Sequence, residues 1–217
     1  MSEVSVSKWI LSLCLLWASF IGSTQLFAQS AVAPADEYVD QDAAAIAFHP
    51  GPGRFANYRR AIDAHLRKNP RNVTALAQRA YIHYATGYLE HGERDYSRAL
   101  ELASDDPVLQ RRVLWSWGWS LWIAEQPQAA LQQWQRAEKQ HGGRPFWVPY
   151  TYALAYWQLE QRDLAVAFYA AAVRSDARWG SEAGFQEKTE HWRDSERAIG
   201  RELLAAWTAA TRVDTPH

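Results

Sequence analysis

Cysteine is nearly absent from this chain: among 217 residues the one thiol is Cys14. It lies within the N-terminal apolar run, so the rest of the chain has no disulfide to form and no thiolate to act as ligand or nucleophile. An excess of one charge is also missing. Lys and Arg number 23 against 24 Asp and Glu, a formal net charge of −1, which argues against a nucleic-acid surface or a polybasic membrane patch. Metal and catalytic motifs are lacking too. The seven histidines (His49, His65, His83, His91, His141, His191, His217) show no paired ligand spacing and no His-Glu-x-x-His. The segment from His49 to Arg54 is rich in Gly and Pro but has no Lys-Ser/Thr after it, so it is no phosphate loop. Glu187, Glu190 and His191 fall on adjacent helical turns, where a solvated face accounts for them. No metal and no cofactor are expected, little points to a catalytic centre, and the chain is expected not to be an enzyme, with an envelope enzyme kept as an alternative class.

A long apolar run occurs in one place. Trp9 to Gly22 spans fourteen residues, short of the ~20 that cross a bilayer. Lys8 precedes it, and Leu26-Phe27-Ala28 offers a small residue at a cleavage point. Residues 1–28 therefore read as a secretory signal peptide with Gln29 as the new N-terminus. An uncleaved membrane anchor is the alternative; lipidation at Cys14 is disfavoured because Leu13 stands where a small residue is needed. The short, Trp-containing signal predicts export across the inner membrane to the periplasm of a Gram-negative bacterium. On that reading the sequon Asn72-Val73-Thr74 is a chance match at a helix start.

What the chain has in quantity is small residues and aromatics in register. A small residue is followed twelve positions on by another, sixteen on by an aromatic, and nineteen on by Ala. The three sets are Ala80–Gly92–Tyr96–Ala99, Gly118–Ala130–Trp134–Ala137 and Ala153–Ala165–Tyr169–Ala172, with starts 38 and 35 residues apart. Two antiparallel helices of about a dozen residues approach closely only where side chains are small, and the aromatic four residues later fills the space toward the next pair. Leu76 and Leu114 precede the first small residue by one turn. Paired-helix units of this period stack into solenoids, which bind more often than they catalyse.

These residues resemble the tetratricopeptide repeat family over about 73–179, with repeats at about 73–106, 111–144 and 146–179. The closing Pro of such repeats is replaced by Ser104, Gly142 and Ala177, and Pro149 stands where a large apolar residue is expected. Residues 29–38 read as a flexible leader. Residues 39–72 read as a degenerate N-terminal repeat, with a short helix at about 39–48 and a second at about 54–68. Phe185, Thr189, Trp192, Glu196, Ile199, Leu203 and Trp207 fall at three- and four-residue steps, one face of a long amphipathic helix from about Ser181 to Thr211. The region 180–217 is thus a capping helix and tail, with docking of a partner as its alternative role. The expected fold is an all-α, tetratricopeptide-like helical-hairpin solenoid of three to four repeats with a C-terminal capping helix.

A second stripe of aromatics is left over. Trp115, Trp119 and Trp122 run beside the packing positions Leu114, Gly118 and Leu121. The equivalent places in the first repeat are Ala77, Tyr81 and Tyr84, and in the third Tyr150, Leu154 and Trp157, with Trp147 one turn earlier. The resemblance implies that this face lines the concave groove. Each large aromatic buries about 150–250 Å², so eight half-exposed ones exceed the ~300–600 Å² of a monomer's largest apolar patch. Either a ligand fills it, or the chain does so with residues 29–48 or the C-terminal helix. The expected site is Tyr81, Tyr84, Trp115, Trp119, Trp122, Trp147, Tyr150 and Trp157, with Arg112 as a polar contact. The family's carboxylate-clamp positions hold aromatic or small residues here, apart from Arg112 and Gln78. The function expected is a non-catalytic protein- or peptide-binding scaffold of the envelope. Alternatives are a glycan or cell-wall binding module, or an envelope enzyme inhibitor or immunity-type protein acting by occlusion. No nucleic acid is expected as a partner, and membrane contact only through an uncleaved signal segment. N-terminal sequencing of the exported protein should return Gln29; a chain that starts at Met1 or carries lipid on Cys14 would refute the signal peptide.

Overall fold

The computed structural model describes residues 33–46 and 55–213. The signal segment expected at 1–28 and the start of the leader lie outside the described residues. Among those described, regular structure is helical: α1 (Phe55–Lys68), α2 (Val73–Ala85), α3 (Leu89–Leu102), α4 (Pro107–Ile123), α5 (Pro127–His141), α6 (Val148–Gln158), α7 (Arg162–Ser175), a 3₁₀ turn (Ala177–Gly180), α8 (Glu182–Lys188) and α9 (Asp194–Val213). α2 packs with α3, α4 with α5 and α6 with α7 as hairpins. α1 lies on α2 and α9 on α7 and α6. None of these helices is long and apolar enough to cross a membrane.

All twelve positions of the repeated signature are buried. The middle hairpin shows why the first must be small. A Cβ on Gly118 would overlap the indole of Trp134, and one on Gly92 would meet the ring of Tyr84. Trp134 lies against the α4 backbone and donates its N–H to the Trp115 carbonyl at 3.1 Å. The Tyr96 hydroxyl shares a hydrogen with Ser120 Oγ at 2.8 Å, and the ring stacks on Trp117 at 5.4 Å. Tyr169 donates to the Trp179 carbonyl at 2.9 Å.

The hairpin turns repeat as closely as the packing face. Gly87, Glu125 and Glu160 each stand seven residues after the small residue and adopt positive φ of 82°, 58° and 59°. In each turn the next amide reaches back to a carbonyl five residues earlier: Tyr88 to His83, Gln126 to Leu121, Gln161 to Tyr156. The first turn alone uses glycine, the residue for which left-handed backbone is free of strain. The starts of the helices use side-chain caps where the chain arrives extended: Asn72 accepts from Ala75 N and Asp106 from Leu109 N.

Two expectations for the termini need correction. Residues 39–46 form no helix. Their peptide groups pair with the loop after α5: Asp40 N–H donates to the Arg144 carbonyl at 3.1 Å, and Phe146 N–H donates to Asp40 at 3.0 Å, a parallel bridge. Asp42 is buried and accepts from Ala44 N–H (2.9 Å), Arg111 (3.1 Å) and Trp147 Nε1 (3.0 Å). Burial alone would raise its pKa, yet these hydrogen bonds hold the carboxyl below its ordinary value. Tyr38 is anchored by its N–H on Ser175 Oγ at 2.8 Å. The leader is thus strapped across the array's edge from residue 36 onward.

The C-terminal region is also not one helix. Ser181 does cap, accepting from Gly184 N–H, but α8 stops at Lys188 and α9 begins at Asp194. Arg197 makes the break tolerable. Its guanidinium donates to the freed carbonyls of Thr189 (3.3 Å), Glu190 (3.3 Å) and Trp192 (2.6 Å). Glu196 closes the start of α9 by accepting from Arg193 N–H at 3.0 Å. From there α9 covers α7 with Leu203, Leu204 and Trp207, as a terminal cap does. Replacing Gly118 with Ala should lower stability by about 1–3 kcal/mol through overpacking, read in urea melts; an unchanged midpoint would show that Trp134 can shift freely.

Candidate functional site: the inner aromatic face

The first helices of the three hairpins, α2, α4 and α6, carry the second stripe, and the side chains expected there have separate fates. Trp115, Trp119 and Trp122 do come together. Trp119 meets Trp115 edge-to-face at 6.1 Å and Trp122 at 5.7 Å, and Tyr150 lies 6.3 Å from it. Trp122 is 2% exposed and Trp115 8%, while Trp119 and Tyr150 are partly buried. Burial pushes the Tyr150 hydroxyl far above its ordinary pKa. Tyr81 begins the face on α2, edge-on to Phe55 at 6.2 Å.

The others lie apart. Tyr84 leans over Gly92 and accepts the Trp117 N–H at 3.1 Å, so it serves the joint between the first and second hairpins. Trp147 is 0% exposed and bound to Asp42 of the leader, and Arg112 donates to the Ile46 carbonyl at 3.2 Å. Trp157 sits at the far end of α6, partly exposed. Its N–H donates to Glu202 at 2.9 Å, and the Arg162 guanidinium lies 3.7 Å above its ring.

What covers the stripe is the break between α8 and α9. Trp192 turns inward and touches Trp119 (5.3 Å), Trp179 (6.1 Å), Tyr150 (6.2 Å) and Phe185 (6.4 Å). Arg193 reaches α2, donating to the Tyr81 hydroxyl at 2.6 Å with its guanidinium 5.7 Å from that ring. Of the two fillings open from the sequence, the C-terminal segment takes the face and the leader takes the edge. Arg193 and Trp179 were absent from the expected site. Trp192 was legible as apolar, but as part of a continuous helix.

The tryptophans divide by what their N–H groups do. Trp117, Trp134, Trp147 and Trp157 each have an acceptor. Trp115, Trp119 and Trp122, the stripe on α4, have buried N–H groups without one. A buried donor left unpaired costs about 1–3 kcal/mol. The face is therefore covered in apolar terms and unsatisfied in polar terms.

Titratable groups are sparse on this side. The Glu187 carboxylate pairs with Arg178 at 2.8 Å, and Glu190 and His191 stand exposed 3.1 Å apart. Among the described residues, no three of His, Cys, Asp and Glu gather as a metal site would require. Glu196 is the buried acid, 3.6 Å from the Arg193 guanidinium. Burial pushes its carboxyl above the ordinary 4.5, outweighing the Arg193 N–H and the charges of Arg193 and Arg197 that pull it down.

Residues 150–178, which run from α6 through α7 into the 3₁₀ turn, match the family model of the tetratricopeptide repeat. No curated protein and no solved structure matches the chain.

The folded chain holds the Glu196 proton more tightly than the unfolded chain does. Its contribution to stability therefore grows as pH falls from neutral through the raised pKa, and is complete below about 4.5. Urea melts between neutral pH and that value should show the wild type gaining stability relative to Glu196→Gln. Parallel profiles would mean that Glu196 titrates as a solvated carboxylate.

Proposed function

We propose that this tetratricopeptide-repeat protein is a non-catalytic scaffold of the cell envelope that binds another protein or a peptide on the aromatic inner face of α2, α4 and α6. Its surroundings on this reading are the periplasm, reached through the signal segment at 1–28. Binding proceeds by burial of apolar anchors between Trp119, Tyr150 and their neighbours, with indole N–H groups donating to the ligand. No covalent step is involved.

The observation that carries this reading is the contrast among the tryptophans. The indoles of Trp117, Trp134, Trp147 and Trp157 have their N–H groups paired, and the three on the α4 stripe have theirs buried without an acceptor. In a stripe present only to fill the core, the larger buried area of indole over phenylalanine is offset by the cost of an unpaired N–H. Tryptophan is the apt residue where an acceptor arrives from outside. The family reading points the same way, since paired-helix arrays expose extended surfaces to protein partners. Glycan binding and occlusion of an envelope enzyme remain alternatives without an observation of their own here.

The test is a comparison of three full-length baits against envelope extract of the source bacterium: wild type, Tyr81→Ala/Trp119→Ala on the inner face, and Tyr58→Ala on the exposed side of α1. A protein retained by wild type and Tyr58→Ala but lost from the inner-face variant, with all three equally helical, is the expected result. Identical lists from all three baits would defeat the inner-face reading.

A further inference from the structure

We infer that the turn from Thr189 to Arg193 is an internal ligand of the inner face, and that the partner whose place it holds is an extended peptide carrying an aromatic residue followed directly by arginine. The inference rests on the inner face being a peptide site.

The turn behaves as a bound peptide does. It has no regular structure between α8 and α9, and its two central side chains go to different subsites. The Trp192 ring enters the enclosure of Trp119, Tyr150, Trp179 and Phe185, contributed by α4, α6, the 3₁₀ turn and α8. The Arg193 guanidinium goes to α2, with one short bond to the Tyr81 hydroxyl and its charge near the face of that ring. An aromatic subsite and a cation subsite, reached by consecutive residues of one turn, define a dipeptide preference. Cation–π contact and a hydrogen bond to a neutral phenol favour arginine over a residue without a fixed fork of donors.

The internal ligand is also an incomplete one. It occupies both subsites yet brings no acceptor to the buried N–H groups of Trp115, Trp119 and Trp122. An incoming strand that supplies the same two side chains and also offers backbone carbonyls to those donors makes everything the turn makes and more. The turn is held in place by local bonds from Arg197 to its own carbonyls, which stay intact when it lifts away. The resident segment therefore lowers apparent affinity for partners in proportion to the time it is docked, and selects against peptides that lack the pair.

The experiment uses the full chain and a fluorescent peptide spanning residues 188–197, followed by anisotropy. Wild type should bind it weakly. Trp192→Ala, which vacates the aromatic subsite, should bind it at least about tenfold more tightly, and Arg193→Ala should show a smaller gain. Replacing either Trp or Arg of the peptide by Ala should cost about tenfold. Circular dichroism establishes that each variant keeps its helices; if Trp192→Ala does not, Arg193→Ala decides. Equal binding by wild type and both helical variants would overturn the internal-ligand assignment. Binding to the opened variants that ignores the peptide's Trp and Arg would overturn the dipeptide preference while leaving a peptide site in place. No binding of any peptide to the opened variants would overturn both. Saturation of Trp192→Ala by chitin or peptidoglycan oligosaccharides instead would replace the peptide with a glycan.

Discussion

The close approach of Trp134 to Gly118 is the contact on which the array depends. It places an indole against the backbone of α4, lets its N–H reach the Trp115 carbonyl, and sets how closely α4 and α5 approach. Tyr96 and Tyr169 do the same work in the neighbouring hairpins with different partners: the hydroxyls of Ser116 and Ser120 in one, the Trp179 carbonyl in the other. Each aromatic thus combines apolar bulk with one polar tip that finds a partner. Burial of the Tyr96 hydroxyl, which pushes its pKa far above the ordinary value, is tolerable because both serines lie within reach. Once the three joints are fixed, the opposite stripe on α2, α4 and α6 is fixed too, because helical geometry puts it about a quarter-turn away. The inner face is a consequence of the packing face.

Much of this was legible in the residues themselves. The small-residue and aromatic register located every hairpin, because sterics at a helix crossing allow few alternatives at Ala80, Gly118 and Ala153. The turns were half legible: Gly87 announces a left-handed residue, whereas Glu125 and Glu160 occupy the same conformation with no sign in their identity. The C-terminal break was hidden for a definite reason. Phe185, Thr189, Trp192 and Glu196 keep helical spacing across the turn, so periodicity reads straight through it. Past the end of α8 the freed carbonyls are met by Arg197, a residue of α9 whose role no periodicity announces. The leader was hidden in another way: its docking rests on partners far along the chain, among them Arg111 and Trp147, which meet Asp42 from 69 and 105 residues away.

The site was legible in composition and less so in geometry. Counting aromatics identified an apolar surface too large to stay bare, and that surface is covered. Sequence spacing, however, treats residues at equivalent repeat positions as equivalent. Tyr84 and Trp122 share a register position, yet one hydroxyl accepts from Trp117 and the other side chain's N–H has no acceptor. The next helix, α4, brings an indole donor to Tyr84, whereas the ring contact of Trp122 is with Trp119 of its own helix. Equivalent positions in a solenoid share a direction but not a partner.

The two termini cover the array by different physics, and the difference bears on which of them can move. The leader is held by backbone pairing with Arg144 and Phe146 and by a buried carboxylate with three donors. Removing it would strand Asp42, Arg111 and the Trp147 N–H together, and each stranded partner adds its own penalty. The turn at Thr189–Arg193 is shaped by bonds to its own neighbours, Arg197 and Glu196, and meets the inner face through ring contacts and a hydrogen bond to Tyr81. Its departure breaks one bond to a tyrosine hydroxyl and leaves Arg193 beside Glu196. Ring contacts are non-directional and can be remade by any aromatic of suitable size, whereas the Asp42 cluster demands one geometry. The edge is therefore a clasp of one fixed geometry, whereas on the proposed reading exchange with a partner falls to the turn that covers the inner face.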